Sequence, residues 1–148
     1  KALKSVTSED VSISQLQIKS IHNNLIPVQI NLSAVTKQSR GFSLEIYGKN
    51  GTLILSSDNQ KDYVHGFGLW FSYKDDILKN IQPDSDISFS KTWTDGRIAP
   101  VARIQSWWVQ SIKDGTPVIP GLVEGLSSQK VCDKIKESNS SGMKLEID

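Results

Sequence analysis

The chain has little of what usually decides a first reading. A single cysteine, Cys132, in 148 residues excludes an internal disulfide framework and points to a reducing compartment. Two histidines, His22 and His65, do not stand at close ligand spacing with that thiol, so no zinc pattern exists. No apolar run approaches the roughly 18 residues that cross a bilayer. Residues 1–10 also lack the apolar core of a signal peptide. A soluble, cytoplasmic protein is expected. Neither sign of charge dominates: 17 Lys and Arg against 16 Asp and Glu leave +1, without the basic footprint of a nucleic-acid binder. The lone methionine is Met143 and the chain starts at Lys1, which predicts a piece of something longer. What is present suits one domain spanning 1–148, with 37% hydrophobic residues. A chain of this size buries about 70% of its unfolded surface, so its core needs neither disulfide nor structural metal.

Alternation with period two marks strands in the first third. Val28, Ile30 and Leu32 alternate with Gln29, Asn31 and Ser33, and Phe42, Leu44 and Ile46 with Ser43, Glu45 and Tyr47. Residues 11–21 alternate too, but Val11 and Ile13 give way to Leu16 and Ile18 near Gln15, which predicts a bulge or two short strands. His22, Asn23 and Asn24 read as a solvated turn. Asn50-Gly51 supplies the positive φ angles of a tight hairpin, predicting two antiparallel strands joined there. Leu53-Ile54-Leu55 does not alternate and reads as covered on both faces.

A structureless loop from 56 to 100 would be unusual, and its best strand candidates are 64–73 and 87–93. After Pro100 the period changes. Val101, Ile104, Trp108 and Ile112 form an amphipathic helical stripe, stopped by Gly115 and Pro117. A second helix over 122–138 carries Leu122, Leu126, Val131 and Ile135; residues 139–142 turn, and the alternating tail 144–147 is expected to return as a strand. Strands followed by helices give an α+β fold. The expected architecture is a mostly antiparallel, open-faced sheet with about two main helices packed on one face, both near the C-terminus.

Several chemistries find no foothold. Gly66-Phe67-Gly68 lacks the third glycine and the following helix of a dinucleotide fingerprint. No serine sits in a Gly-x-Ser-x-Gly elbow. Asp75-Asp76 and Asp84 with Asp86 fall near turns, where solvated charge explains them better than acid–base work. Cys132, beside Val131 in the second helix, reads as a small buried hydrophobe rather than a nucleophile. There remains an aromatic and polar middle that includes Asp62, His65, Trp70, Trp93, Asp95 and Arg97. Trp70 and Trp93 either pack beneath the helices or line a polar ligand, stacking on its carbon face while charged groups meet its hydroxyls. Trp107 and Trp108 are adjacent on a helix and point in different directions, so at most one faces the main core.

Residues 42–55, Phe-Ser-Leu-Glu-Ile-Tyr-Gly-Lys-Asn-Gly-Thr-Leu-Ile-Leu, resemble a segment of the C-terminal domain of the glucose-fructose oxidoreductase, inositol dehydrogenase and rhizopine-catabolism (Gfo/Idh/MocA) family. The run from Trp107 to Pro117, then Gly121-Leu-Val-Glu-Gly-Leu126 and Val131-Cys-Asp-Lys-Ile-Lys-Glu-Ser138, is similar to that family's closing pattern of helix, glycine, proline, helix and last strand. The resemblance covers most of the chain except 56–100. It implies a two-domain parent, whose N-terminal Rossmann domain binds NAD or NADP and is absent from this chain. The present piece would then help form the site for a sugar, cyclitol or related polyol and contribute to oligomerisation. The family's glycine-rich loop, its Glu-Lys-Pro segment and its Asp-x-x-x-His motif do not occur here. Asp62 and His65 have another spacing and take no catalytic role. The resemblance therefore implies no catalytic, cofactor-binding or metal residue in this chain, and a fragment inactive by itself. In that reading the aromatic and polar middle, Trp93 and Arg97 with His65 and Trp70, would line the substrate pocket.

Two other readings share the architecture. One is a non-catalytic sensor or regulatory binding protein, since fold does not settle function. The other is a free-standing dimerisation module using the polar sheet face of Gln29, Asn31, Ser33, Ser43, Glu45 and Tyr47. Such a homodimer through the open face is also compatible with the enzyme parent; neither nucleic acid nor membrane is an expected partner.

Overall fold

The structure, a computed structural model, describes residues 8–37, 41–57, 67–82, 84, 89 and 93–147. Strands β1 (Val11–Lys19) and β2 (Leu25–Ser33) pair antiparallel in one unbroken register, from Val11 opposite Ser33 to Lys19 opposite Leu25. The phase slip at Gln15 therefore produces no bulge. Leu16 and Ile18 share a face with Ile26, Val28, Ile30 and Leu32, whereas Val11 and Ile13 fall on the other face and stay 55% and 72% exposed. Keeping the ladder intact outweighs hiding two apolar side chains. The intervening turn is held by Ser20, whose carbonyl accepts the Asn23 N–H (2.9 Å) and whose Oγ accepts those of His22 (3.2 Å) and Asn24 (3.1 Å). Asn23 takes φ 61°, a conformation its short polar side chain tolerates. His22 is exposed, as expected of a turn.

The second sheet has the order β3 (Phe42–Gly48), β4 (Gly51–Ser57), β5 (Gly68–Tyr73) and β6 (Lys79–Ile81), all antiparallel. The hairpin stands where expected, with Gly48 opposite Gly51, but its two loop residues are Lys49 and Asn50, and neither Asn50 nor Gly51 takes a left-handed φ. Gly51 is needed for another reason: a methyl group there would fall 2.2 Å from the Ser72 carbonyl oxygen on β5. β4 lies between two neighbours and is half-buried from Gly51 to Ser56, which accounts for its unalternating Leu53-Ile54-Leu55. β5 falls within the expected 64–73, while β6 had no signal of its own. Of the other candidate, 87–93, only Phe89 and Trp93 lie within the described residues. Lys74 (φ 54°) turns β5 toward β6, and the Asp76 carboxylate there accepts the Ile77 N–H (2.8 Å) and pairs with Lys79. Those two contacts, Lys79 first, hold the Asp76 carboxyl below its ordinary range.

Helix α1 (Ile98–Asp114) carries Pro100 in its first turn, where the absent N–H costs nothing, and ends at Gly115, whose φ of 66° caps it. Helix α2 (Leu122–Ser141) starts where the Glu124 carboxylate accepts the Gly121 N–H (2.7 Å) and stops where the Gly142 N–H returns to the Ser138 carbonyl (2.8 Å). The peptide between Ile119 and Pro120 is cis. Two expectations fail here. The tail 144–147 forms no strand; it is tied by side chains, with Lys144 Nζ donating to Gln17 Oε1 (2.7 Å) and Ser138 Oγ to the Met143 carbonyl (2.6 Å). Cys132 is exposed, because the half-buried side of α2 is Val131, Lys134, Ile135 and Ser138, and Cys132 sits about 100° round from Val131.

Two antiparallel sheets with both helices near the C-terminus make this an α+β chain, as the sequence predicts, with its strands in two sheets rather than one. The chain divides into two units, Lys1–Lys37 with Ile119–Asp148, and Gln38–Val118. Within the first, Lys136 reaches Glu9 at 3.7 Å besides the Lys144 tie to β1. No helix among the described residues is long and apolar enough to cross a membrane.

Candidate functional site

Helix α1 has two faces. Val101, Ile104, Trp108 and Ile112 form the stripe visible in the sequence, and the structure leaves them 44% to 81% exposed. The opposite face carries Ala99, Ala102 and Ser106, whose short side chains leave room, flanked by Arg103 and Trp107. Phe89 and Trp93 stand across from this face, and the space between is an open cleft of about 320 Å³. Ala99 at its floor is the one buried hydrophobic residue among the described residues. The Arg103 guanidinium carbon lies 4.0 Å from the centre of the Phe89 ring, a cation–π contact that fixes the charge in the cleft wall. Trp93 is half-buried, and Trp107, 49% exposed, lends the cleft one side of its indole.

The Asp95-Gly96-Arg97 turn delivers the chain from Trp93 into α1. Asp95 Oδ1 accepts the Arg97 N–H (3.0 Å) and Nε–H (2.9 Å), while Oδ2 accepts from Nη2 (2.7 Å), a forked pair that holds the helix start. Both side chains are well exposed, so its contribution to stability is small. Arg97 thus borders α1 at its N-cap and is not among the side chains that line the cleft. Trp70 lies on β5, opposite Ile54 and Asn80, with its ring so close over Gly68 that a methyl there would fall 2.1 Å from it. Trp70 does not line the cleft either. His65 lies outside the described residues. Of the four residues named in the sequence, Trp93 is the one among the described residues that lines this cleft.

Phe89, Arg103 and Ser106 were not legible as site residues. Their sequence signal is the set of small side chains at 99, 102 and 106, on the side of the helix away from the apolar stripe of Val101, Ile104, Trp108 and Ile112. Trp107 and Trp108 do diverge as adjacent helical residues must, Trp107 to the cleft and Trp108 to the exposed stripe. The polar face expected on the sheet is divided: Gln29, Asn31 and Ser33 belong to β2, whereas Ser43, Glu45 and Tyr47 belong to β3 in the other sheet. On β3 the Glu45 carboxylate accepts from Ser43 Oγ (3.1 Å) and from the Tyr47 hydroxyl.

The cleft presents three aromatic surfaces, one cation and one hydroxyl. Among the described residues no group of three or more His, Cys, Asp or Glu could hold a metal ion. Both described helix starts carry a carboxylate on the N–H of the capping residue. They are Asp95 at the Arg97 N–H and Glu124 at the Gly121 N–H.

Comparison with known proteins gives this arrangement a setting. Residues 21–147 match the C-terminal alpha/beta domain of the Gfo/Idh/MocA oxidoreductase family. The chain is also similar to an uncharacterized oxidoreductase of Synechocystis sp., 39% identical over 137 residues that make up 93% of this chain and 36% of the relative. It therefore spans about a third of that relative's length. No solved structure matches the chain.

Proposed function

Since the chain belongs to the Gfo/Idh/MocA oxidoreductase family as its C-terminal α/β domain, we propose that it forms the substrate-binding and oligomerisation part of an NAD(P)-dependent dehydrogenase or reductase acting on a sugar, cyclitol or related polyol. The observation that carries this reading is the cleft between α1 and the side chains of Phe89 and Trp93. Its indole and phenyl faces suit the C–H face of a polyol, while Ser106 and Arg103 offer hydrogen bonds to its oxygens.

In this reading the chain binds, orients and shields the substrate. Hydride transfer also needs a nicotinamide ring and an acid–base group within hydrogen-bond reach. Both belong to other parts of the parent enzyme, so this chain alone does not turn over. The parent works in the cytoplasm. Self-association uses the open polar face of β3 around Ser43, Glu45 and Tyr47, and light scattering that finds only monomer at high concentration removes that part of the proposal.

The test of the cleft is Trp93→Ala in the full-length oxidoreductase. Loss of one stacking face is expected to raise KM about tenfold, with kcat changed much less. An unchanged KM overturns the assignment of the cleft.

A further inference from the structure

We infer that Asn50 is a site of spontaneous backbone modification: its side-chain amide is lost as ammonia through attack by the Gly51 backbone nitrogen, leaving aspartate or isoaspartate at the tip of the β3–β4 hairpin. Neither the cleft nor its ligand takes part.

The atoms of the reaction are already joined in the chain. Asn50 Cγ, Cβ, Cα and C, with the Gly51 nitrogen, make up a five-membered ring once the ends meet. The nitrogen gives its proton to solvent and attacks Cγ; a C–N bond forms, and the amide nitrogen leaves as ammonia after taking up a proton. Water then adds to one of the two carbonyls of the cyclic imide. Opening the bond at Cγ yields aspartate. Opening the bond at the main-chain carbonyl yields isoaspartate, in which the chain runs through the former side chain. Water is the one co-reactant, and nothing is oxidised or reduced.

Three observations single out Asn50. Of the seven asparagines it alone precedes glycine, the others being followed by Asn, Leu, Gln, Ile or Ser. A residue without Cβ leaves the attacking nitrogen unshielded. The Asn50 side chain is also exposed in the two-residue hairpin loop and makes no hydrogen bond to another described residue, so rotation about χ1 can carry Cγ toward the nitrogen. Asn31 and Asn80 differ in this. Asn31 Oδ1 accepts from Gln29 (3.4 Å), while Asn80 donates to the Leu69 carbonyl (3.3 Å) and accepts from Gln82 (2.7 Å). Finally, the Asn50 carbonyl is held by the Lys74 N–H (2.9 Å), a bond that ring closure must release. It lies beyond the last pair of both ladders, Gly48 with Gly51 and Gly51 with Tyr73, where local opening is cheap.

The two products load the sheet differently. Aspartate keeps the chain length. Isoaspartate puts an extra methylene into the backbone directly before Gly51, where even a methyl branch would fall 2.2 Å from the Ser72 carbonyl oxygen.

The experiment ages the full-length oxidoreductase at neutral pH and physiological temperature, with and without urea, and maps its peptides by mass spectrometry. The peptide containing Asn50 is expected to exchange its amide for a carboxyl and to separate into two isomers. One of them should accept a methyl group from S-adenosylmethionine in the presence of an isoaspartyl methyltransferase. In the folded protein the rate at Asn50 is expected to exceed that at Asn24, Asn31 or Asn80 by about tenfold or more, the ratio that a barrier lower by about 1.4 kcal/mol produces. Asn50→Gln keeps an exposed amide but closes a ring one atom larger, and should abolish both the mass change and the methyl transfer in that peptide.

Modification of Asn50 confined to the urea-unfolded chain overturns the inference, because the hairpin then holds the Asn50-Gly51 peptide out of reach. A folded-state rate no higher than that at Asn24 overturns it as well, since glycine and the free amide would then confer no advantage. Methyl transfer that persists undiminished in the same peptide of Asn50→Gln places the isoaspartate at another residue and has the same result.

Discussion

Replacing Gly51 by alanine should damage the second sheet, and the size of the effect follows from one distance. Gly51 begins β4 with Gly48 on one side and Tyr73 on the other. An added methyl would fall 2.2 Å from the Ser72 carbonyl oxygen and 3.3 Å from the Phe71 ring. The ring can rotate away. The carbonyl cannot, because it belongs to the backbone of the paired strand. Restoring an ordinary separation of 3.4 Å requires β4 and β5 to part by 3.4 − 2.2 = 1.2 Å at this point. Forced overpacking of this kind costs about 1–3 kcal/mol, against roughly 0.4–1 kcal/mol gained by stiffening the unfolded chain. A net loss of about 1–2 kcal/mol follows. The same substitution at Gly125, inside α2 with nothing within 4 Å of the added methyl, should instead stabilise by about 1 kcal/mol through helix propensity. Urea unfolding followed by far-ultraviolet circular dichroism measures both, as midpoints shifted in opposite directions at constant slope. A Gly51→Ala midpoint at or above that of the parent would refute the close approach of β5, and with it the β4–β5 register.

Two further outcomes are expected. The Glu124 carboxyl is held below its ordinary value of 4.5 by the Gly121 N–H and its own N–H. Because the folded state favours the ionised form, its support of α2 is complete above the unfolded-state value and lost as pH falls through the folded one. Helical ellipticity should decline in that acid window and Glu124→Gln should flatten the decline; an unaltered profile in the variant argues against the cap. Cys132, being exposed, should react fully with a thiol-specific disulfide reagent in the folded protein. Protection until denaturant is added would restore the buried position that its neighbour Val131 suggested.

Local chemistry was readable where it is self-sufficient. The β3–β4 hairpin, the turn at His22 and the stop of α1 at Gly115 each depend on a few adjacent residues. Elements that borrow their stability from distant partners were not. β6 is only three residues long, Lys79–Ile81, and forms because β5 offers an edge. The tail 144–147 alternates like a strand, yet Lys144 engages β1 through a side chain. Periodicity marks α1 by its Val101, Ile104, Trp108 and Ile112 stripe, whereas the cleft uses the face behind it. Small side chains at 99, 102 and 106 carry no chemical signature in a sequence. Their meaning appears once Phe89 and Trp93 stand opposite.

The division of the chain also bears on how it is made. One unit is continuous, Gln38–Val118, while the other is split between Lys1–Lys37 and Ile119–Asp148. During synthesis, the β3–β6 sheet and α1 have all left the ribosome before α2, which belongs to the same unit as β1 and β2, exists. Domains fold as units in the order that they emerge. Joining the two halves of the split unit means closing a loop of 118 − 37 = 81 residues. The entropic cost of closure grows with the length of flexible chain enclosed. An insert already folded by then is no longer flexible chain, so early folding of the middle lightens the assembly of the ends.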